Sequence, residues 1–184
     1  MKCVLFFLIV LVGVVNASMD QIGSTVFFIS SAKEAVDPIL LVKNNISLIL
    51  NFAAELRDLQ YPNGIQMVEL HWAHPVDQIV AIWFNLRDGR DSSFFPIMRA
   101  AGMIYHSWNE QDPSVLGIPN RKILLHCYAG VSRSAAAAVY LLSRENQLTT
   151  DQAYHLVKSS RPQTRINPFF WRWLKEEFDK HDEF

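Results

Sequence analysis

"KILLHCYAGVSRSAAAAVYLL", residues 122–142, runs from a short apolar stretch through a glycine-centred turn into an alanine-rich segment. The run 122–127 is brief and apolar, as expected of a central strand covered on both faces. The run 134–146, "SAAAAVYLLSREN", is rich in strong helix formers. Between them lies "CYAGVSR", in which Gly130 gives the backbone freedom for a tight cradle. The N–H groups of Tyr128, Ala129, Gly130, Val131, Ser132 and Arg133 are then expected to turn inward, above the positive end of the helix that starts near Arg133.

Such a pocket suits a doubly charged tetrahedral oxyanion, two of whose oxygens Arg133 can grip at once. The same field favours the thiolate of Cys127, and the Ser134 hydroxyl can steady that thiolate by a hydrogen bond. The expected chemistry is attack of Cys127 on phosphorus, with the loop amides and Arg133 holding the equatorial charge. A phospho-cysteine forms and water later cleaves it. The loop supplies its own positive charge, so neither metal nor cofactor is expected. A merely structural cysteine would account for Cys127 as a small buried hydrophobe. It would explain neither Gly130, nor Arg133, nor their spacing.

Outward from this stretch, strand-like and helical runs alternate. Residues 24–30 ("STVFFIS"), 46–53 ("ISLILNFA") and 78–86 ("QIVAIWFNL") read as strands. Residues 32–45 have helical character interrupted by Pro38, and Asn63-Gly64 marks a turn. From Phe94, apolar residues recur at helical spacing through Ile97, Met98, Ala101, Tyr105 and Trp108, with Ser92 or Ser93 as cap. Thr149 and Gln152 form a capping-box signature for a helix that Pro162 closes off. Asn167 and Pro168 read as cap and first turn of a last helix, with Phe170, Trp173, Leu174 and Phe178 as its buried stripe. The expected architecture is an α/β fold: a central mixed, mostly parallel sheet flanked by helices, with the phosphate-binding loop between a central strand and a helix.

The chain has 184 residues and a formal net charge of −1, which fits one domain with no electrostatic case for a nucleic-acid partner. Its start differs from the rest. Lys2 is followed by "VLFFLIVLVGVV" (4–15) and "NAS", the pattern of a secretory signal peptide ending near Ala17. The expected organisation is residues 1–17 as signal and 18–184 as catalytic domain. That places the mature chain in the secretory pathway or outside the cell; without a working signal it is cytoplasmic. Membrane association is expected only if the segment stays attached. Of two cysteines, Cys3 and Cys127, only Cys127 survives cleavage, so no intrachain disulfide is expected.

The pattern His126-Cys127-x-x-Gly130-x-x-Arg133-Ser134 resembles the signature of the cysteine-based protein phosphatases, and "HCYAGVSRSA" is similar to the dual-specificity branch. The resemblance extends over "FFISSAKEAVD", "ISLILNFAAE", "FNLRDGRDSSFFPIMRAAGMI" and "AYHLVKSSRPQTRINPFF", and is close to the small atypical members. It implies hydrolysis of phosphotyrosine and phosphoserine/threonine in phosphoprotein substrates. It also implies an aspartic general acid on a loop after a strand. Asp88 fits that position, with Asp91 as competitor and Asp112 as a surface-loop residue. His126 and Asn167 are implied as supports of the signature loop. The resemblance is imperfect after the loop: Ile166 and Phe169 stand where proline and glycine are usual. His71 and His74 are read as solvated loop residues. The loop interior carries no lysine, which disfavours inositol lipids, although Arg161 or Arg165 could fold over the pocket. The alternatives are a phosphate-binding module without turnover and a lipid or RNA phosphatase on the same fold.

Overall fold

The computed structural model describes residues 18–62, 79–110 and 121–179, with the backbone of 67–68. The segment 1–17, the Asn63-Gly64 turn, His71, His74 and Asp112 lie outside the described residues.

Six strands form one sheet: β1 (Asp20–Gln21), β2 (Phe27–Ser30), β3 (Ile46–Asn51), β4 (Met67–Val68), β5 (Val80–Trp83) and β6 (Lys122–His126), in the order β1-β2-β6-β3-β5-β4. Among the described residues only β1 runs antiparallel to its neighbour; every other pair is parallel. The strand ahead of the signature loop is therefore central, with Leu125 level with Ile29 of β2 and Leu50 of β3. Along β3, side chains alternate between two cores. Leu48 and Leu50 join Ile29, Ile123 and Leu125 on one face, and Ile49 joins Phe28, Ala81 and Leu124 on the other. Both faces being covered explains why these strands read as continuous apolar runs.

The first face carries α3 (Phe94–Glu110), α4 (Arg133–Asn146), α5 (Thr150–Ser160) and α6 (Pro168–Phe178). The second carries α1 (Ala32–Ala35) and α2 (Pro38–Lys43), through Ala35 and Leu41. The four alanines 135–138 are fully buried, so α4 is enclosed between the sheet and its neighbouring helices. In α6, Phe170 and Leu174 are buried completely, while Trp173 and Phe178 are only partly covered. Among the described residues no helix is long and apolar enough to cross a membrane.

One local expectation changes. Pro38 does not interrupt one helix; it begins a second. Asp37 caps that helix, its Oδ1 accepting from the N–H groups of Ile39 and Leu40 at 2.9 and 3.3 Å. Proline at the first helical position loses nothing, because its missing N–H would have had no partner there. Ser93 stands at the cap of α3, its carbonyl accepting from Ile97 N at 3.0 Å, and the carboxylate of Asp91 holds it there. Asp91 Oδ1 accepts from Ser93 N and Oγ at 3.0 and 2.6 Å.

Candidate active site

At the C-terminal end of β6 the chain leaves the sheet at Cys127, turns through residues 128–132 and enters α4. The loop's carbonyls are tied down on its outer side. Cys127 O accepts from His126 Nδ1 at 3.2 Å, and Tyr128 O from Ala32 N at 3.0 Å. Ala129 O and Gly130 O accept from Arg161 at 3.4 and 2.7 Å, and Val131 O from Arg165 N at 2.9 Å. In a trans peptide the C=O and the following N–H point in opposite directions. Five fixed carbonyls therefore turn the N–H groups of Tyr128, Ala129, Gly130, Val131 and Ser132 to the inner side. Among the described residues, none of those five donates a hydrogen bond to protein.

Gly130 makes this curl possible. Its φ is +67°, and a Cβ there would lie 2.4 Å from Ser30 O and 2.7 Å from Arg161 Nη2. Only glycine tolerates both the left-handed backbone and the contact. Arg161, 4 % exposed, lies behind the loop rather than over the pocket. Its guanidinium is held by Asp20 Oδ2 at 2.6 Å and Ser18 O at 3.2 Å. The sequence expectation that Arg161 could cover the pocket is thus overturned: its donors are committed to the loop's carbonyls and to the edge strand. Arg165 does line the cleft.

On the inner side, Cys127 is buried and its Sγ lies 3.3 Å from Ser134 Oγ. Arg133 is 5 % exposed. Its Nη1 and Nη2 donate to the two carboxylate oxygens of Glu55 at 2.6 and 2.5 Å, and Nη1 also to Leu86 O at 3.2 Å. Its Nε is buried and has no partner among the described residues. Burial works against the guanidinium's charge, but the bonds to Glu55 and the nearby Cys127 and Asp88 raise its pKa overall. The bonds from Arg133 likewise hold Glu55 below the usual carboxylate range. Sequence reasoning missed Glu55. The available signal was an acidic residue just beyond "ISLILNFA", the strand that proves to pair with β6.

The two acid candidates separate cleanly. Asp91 has both oxygens occupied, Oδ2 by Arg87 N at 2.9 Å and Oδ1 by Ser93. Burial would raise its pKa, but these hydrogen bonds prevail and lower it, so Asp91 is held ionised. Asp88 lies in the cleft wall and, among the described residues, has one protein tie, from Ser132 Oγ to its Oδ1 at 3.0 Å. Ser132 Oγ in turn accepts from Asn167 N at 3.1 Å, while the Asn167 side chain caps α6 at Phe169 N.

Behind Cys127, His126 is fully buried and burial lowers its pKa to about 4. Its Nδ1 faces a carbonyl and must carry the proton, so Nε2 accepts from Tyr61 OH at 2.6 Å. Burial likewise keeps Tyr61 a neutral phenol. Tyr61 is a second residue the sequence did not single out.

The resulting cleft measures about 440 Å³ and brings Asp88, Cys127, Arg133 and Asn167 together with Tyr128, Val131, Arg165, Ile166 and Pro168. A buried thiol, a ring of unpaired amides, a clamped guanidinium and one open carboxyl suit phosphoryl transfer through sulfur.

The chain is similar to known proteins in sequence and in fold. Residues 114–180, from ahead of β6 through α6, match the family "Dual specificity phosphatase, catalytic domain". The chain is 34 % identical over 156 residues to mouse dual specificity protein phosphatase 18, covering 85 % of this chain and 70 % of that protein. It is 29 % identical over 157 residues to human dual specificity protein phosphatase 21, with 85 % and 70 % covered. The crystal structure of a mouse putative dual specificity phosphatase complexed with zinc tungstate superposes with a TM-score of 0.67 at 21 % identity, over 90 % of this chain and 89 % of that one.

Proposed function

The chain belongs to the dual specificity phosphatase family, and from that premise we propose that it is a protein phosphatase whose cleft hydrolyses phosphotyrosine and phosphoserine/threonine through a phospho-cysteine. The inward amides of residues 128–132 bind three phosphoryl oxygens, and the buried Arg133 Nε, without another partner among the described residues, donates to one of them. Cys127 Sγ attacks phosphorus in line with the ester oxygen. Asp88 gives its proton to that oxygen as the P–O bond breaks. In the second half the Asp88 carboxylate takes a proton from water, which attacks phosphorus and expels the sulfur. Ser134, at 3.3 Å, stabilises the departing thiolate. His126 and Asn167 support the loop, the first through the Cys127 carbonyl and the second through Ser132.

The observation that carries this reading is the set of five inward-turned amides with no protein acceptor among the described residues. The test is turnover of p-nitrophenyl phosphate and of phosphopeptides. Cys127→Ser is expected to abolish turnover while still binding vanadate, and Asp88→Ala to slow it by roughly 10²–10⁴-fold, the contribution typical of general acid catalysis. Binding of vanadate without turnover in the wild type would instead describe a phosphate-binding module.

A further inference from the structure

Asp88 precedes Gly89, whose φ is +137° and beside which an added Cβ would meet nothing within 4 Å. The loop around it is fixed on either side. Leu86 O accepts from Ala54 N and Arg133 Nη1, and Asp91 binds back to Arg87 N. Asp88 itself is exposed, and among the described residues its one hydrogen bond comes from Ser132. Remove that bond and a carboxyl on an open, glycine-flanked turn is free to leave the cleft.

The Ser132 hydroxyl suits this task by its polarity. A hydroxyl has one proton to donate and lone pairs to accept with. Asn167 N–H, fixed by the start of α6, already donates to Oγ at 3.1 Å. The hydroxyl proton is thereby directed to Asp88 Oδ1 at 3.0 Å. The residue is 8 % exposed, so water does not easily replace either partner.

We propose that the Ser132 hydroxyl is a positioning residue for the general acid: through Asn167 N–H → Ser132 Oγ–H → Asp88 Oδ1 it holds the carboxyl in the cleft and reserves Oδ2 as the oxygen that carries the catalytic proton. This rests on the phosphatase reading above and assigns Ser132 a side-chain role beyond its backbone contact with phosphate. As the Cys127 sulfur bonds to phosphorus with its own electron pair, the P–O bond breaks. Its electrons stay on the ester oxygen, and that oxygen takes the Oδ2 proton. In the second step Oδ2 receives a proton from the attacking water. Ser132 donates to Oδ1 throughout, so one geometry serves both protonation states.

The test compares phenyl phosphate, whose leaving group needs a proton, with 2,4-dinitrophenyl phosphate, whose leaving group does not. Ser132→Ala is expected to lower kcat/KM on phenyl phosphate about tenfold and on the dinitrophenyl ester less than about twofold, because kcat/KM reports formation of the phospho-cysteine, the step in which acid catalysis matters only for the poor leaving group. Vanadate inhibition should weaken no more than turnover of the dinitrophenyl ester, and Ser132→Thr, which keeps the hydroxyl, should restore turnover. Added to Asp88→Asn, Ser132→Ala should cost nothing further. Equal losses of kcat/KM on both esters, vanadate binding weakened as much as turnover of phenyl phosphate, or additive losses in the double variant would each overturn the proposal. An Asp88→Asn variant with equal rates on both esters would remove the acid assignment itself, a failure distinguishable because Ser132 is then intact.

Discussion

Replacing Glu55 with glutamine tests whether the arginine of the loop is aimed by a partner from a distant strand. In the native site both carboxylate oxygens of Glu55 accept from Arg133, at 2.6 and 2.5 Å. Glutamine keeps one acceptor and turns an amide NH₂ toward a guanidinium N–H. One charge-assisted hydrogen bond is lost, about 1.5–3 kcal/mol in a buried setting. The Glu55 side chain is 47 % exposed while that of Arg133 is 7 % exposed. Water therefore replaces part of the lost interaction, and the net cost falls to about 1 kcal/mol. Leu86 O still holds Nη1, so the guanidinium loosens rather than leaves. The expected result is roughly a fivefold fall in kcat/KM for p-nitrophenyl phosphate with a matching weakening of inorganic phosphate inhibition, since 1.4 kcal/mol corresponds to tenfold. Stability supplies a second readout. The hydrogen bonds from Arg133 hold the folded pKa of Glu55 below the ordinary glutamate range. Its stabilisation is therefore complete above the unfolded value and disappears as pH falls through the folded one. The stability gap between wild type and Glu55→Gln should be present at pH 7 and close as the pH falls toward 3 in urea titrations. Unchanged phosphate inhibition, or a gap of the same size at both ends of that range, would refute the clamp.

Two other outcomes follow from the same geometry. Gly130→Ala should destabilise by about 3 kcal/mol or more, combining a left-handed backbone with a 2.4 Å approach to Ser30 O; a denaturant midpoint showing less than about 1 kcal/mol would contradict the packing. Tyr128, 63 % exposed, and Ile166, 9 % exposed, give the cleft apolar walls above the loop. A phosphotyrosyl peptide should therefore surpass its phosphothreonyl counterpart by about tenfold in kcat/KM, the effect of burying part of one ring, and Tyr128→Ala should narrow that difference; equal rates on the two wild-type assays would refute it.

How much of this was legible in the sequence depends on how far apart the interacting residues lie. The strand, loop and helix around Cys127 were readable because apolar run, glycine and alanine-rich stretch are contiguous, and local periodicity carries them. Asp88 and Asp91 could be narrowed to a pair but not separated on chemistry. What separates them is hydrogen-bond geometry at Ser93, Arg87 and Ser132, which residue identities do not encode. Glu55 and Tyr61 escaped notice because they reach Arg133 and His126 across 78 and 65 positions. Their proximity follows from β3 lying beside β6, and strand order in a parallel sheet is a property of crossovers rather than of any one run. Arg161 was noticed for its charge and misplaced. Its position behind the loop depends on Asp20 of β1, a two-residue strand too short to leave a period in the sequence.

The two buried arginines of the loop have opposite tasks. Arg161 fixes carbonyls on the outer side and is paired with Asp20; Arg133 presents Nε on the inner side and is paired with Glu55. Each guanidinium thus has a carboxylate close by, so the side chains add little net positive charge at the cysteine. A buried ion pair is in any case weak evidence for stability, because desolvation offsets attraction. What remains for an incoming dianion is the field of five oriented peptide dipoles and the start of α4, supplied by backbone and held rigid by the pairs. From this division Gly130 is expected to resist exchange while the residues on either side of it accept substitution: the binding groups are main-chain N–H, and their direction depends on a curl that only glycine permits at that point. Sequence variation at Tyr128, Ala129 and Val131 therefore alters the cleft's walls and leaves the anion site intact.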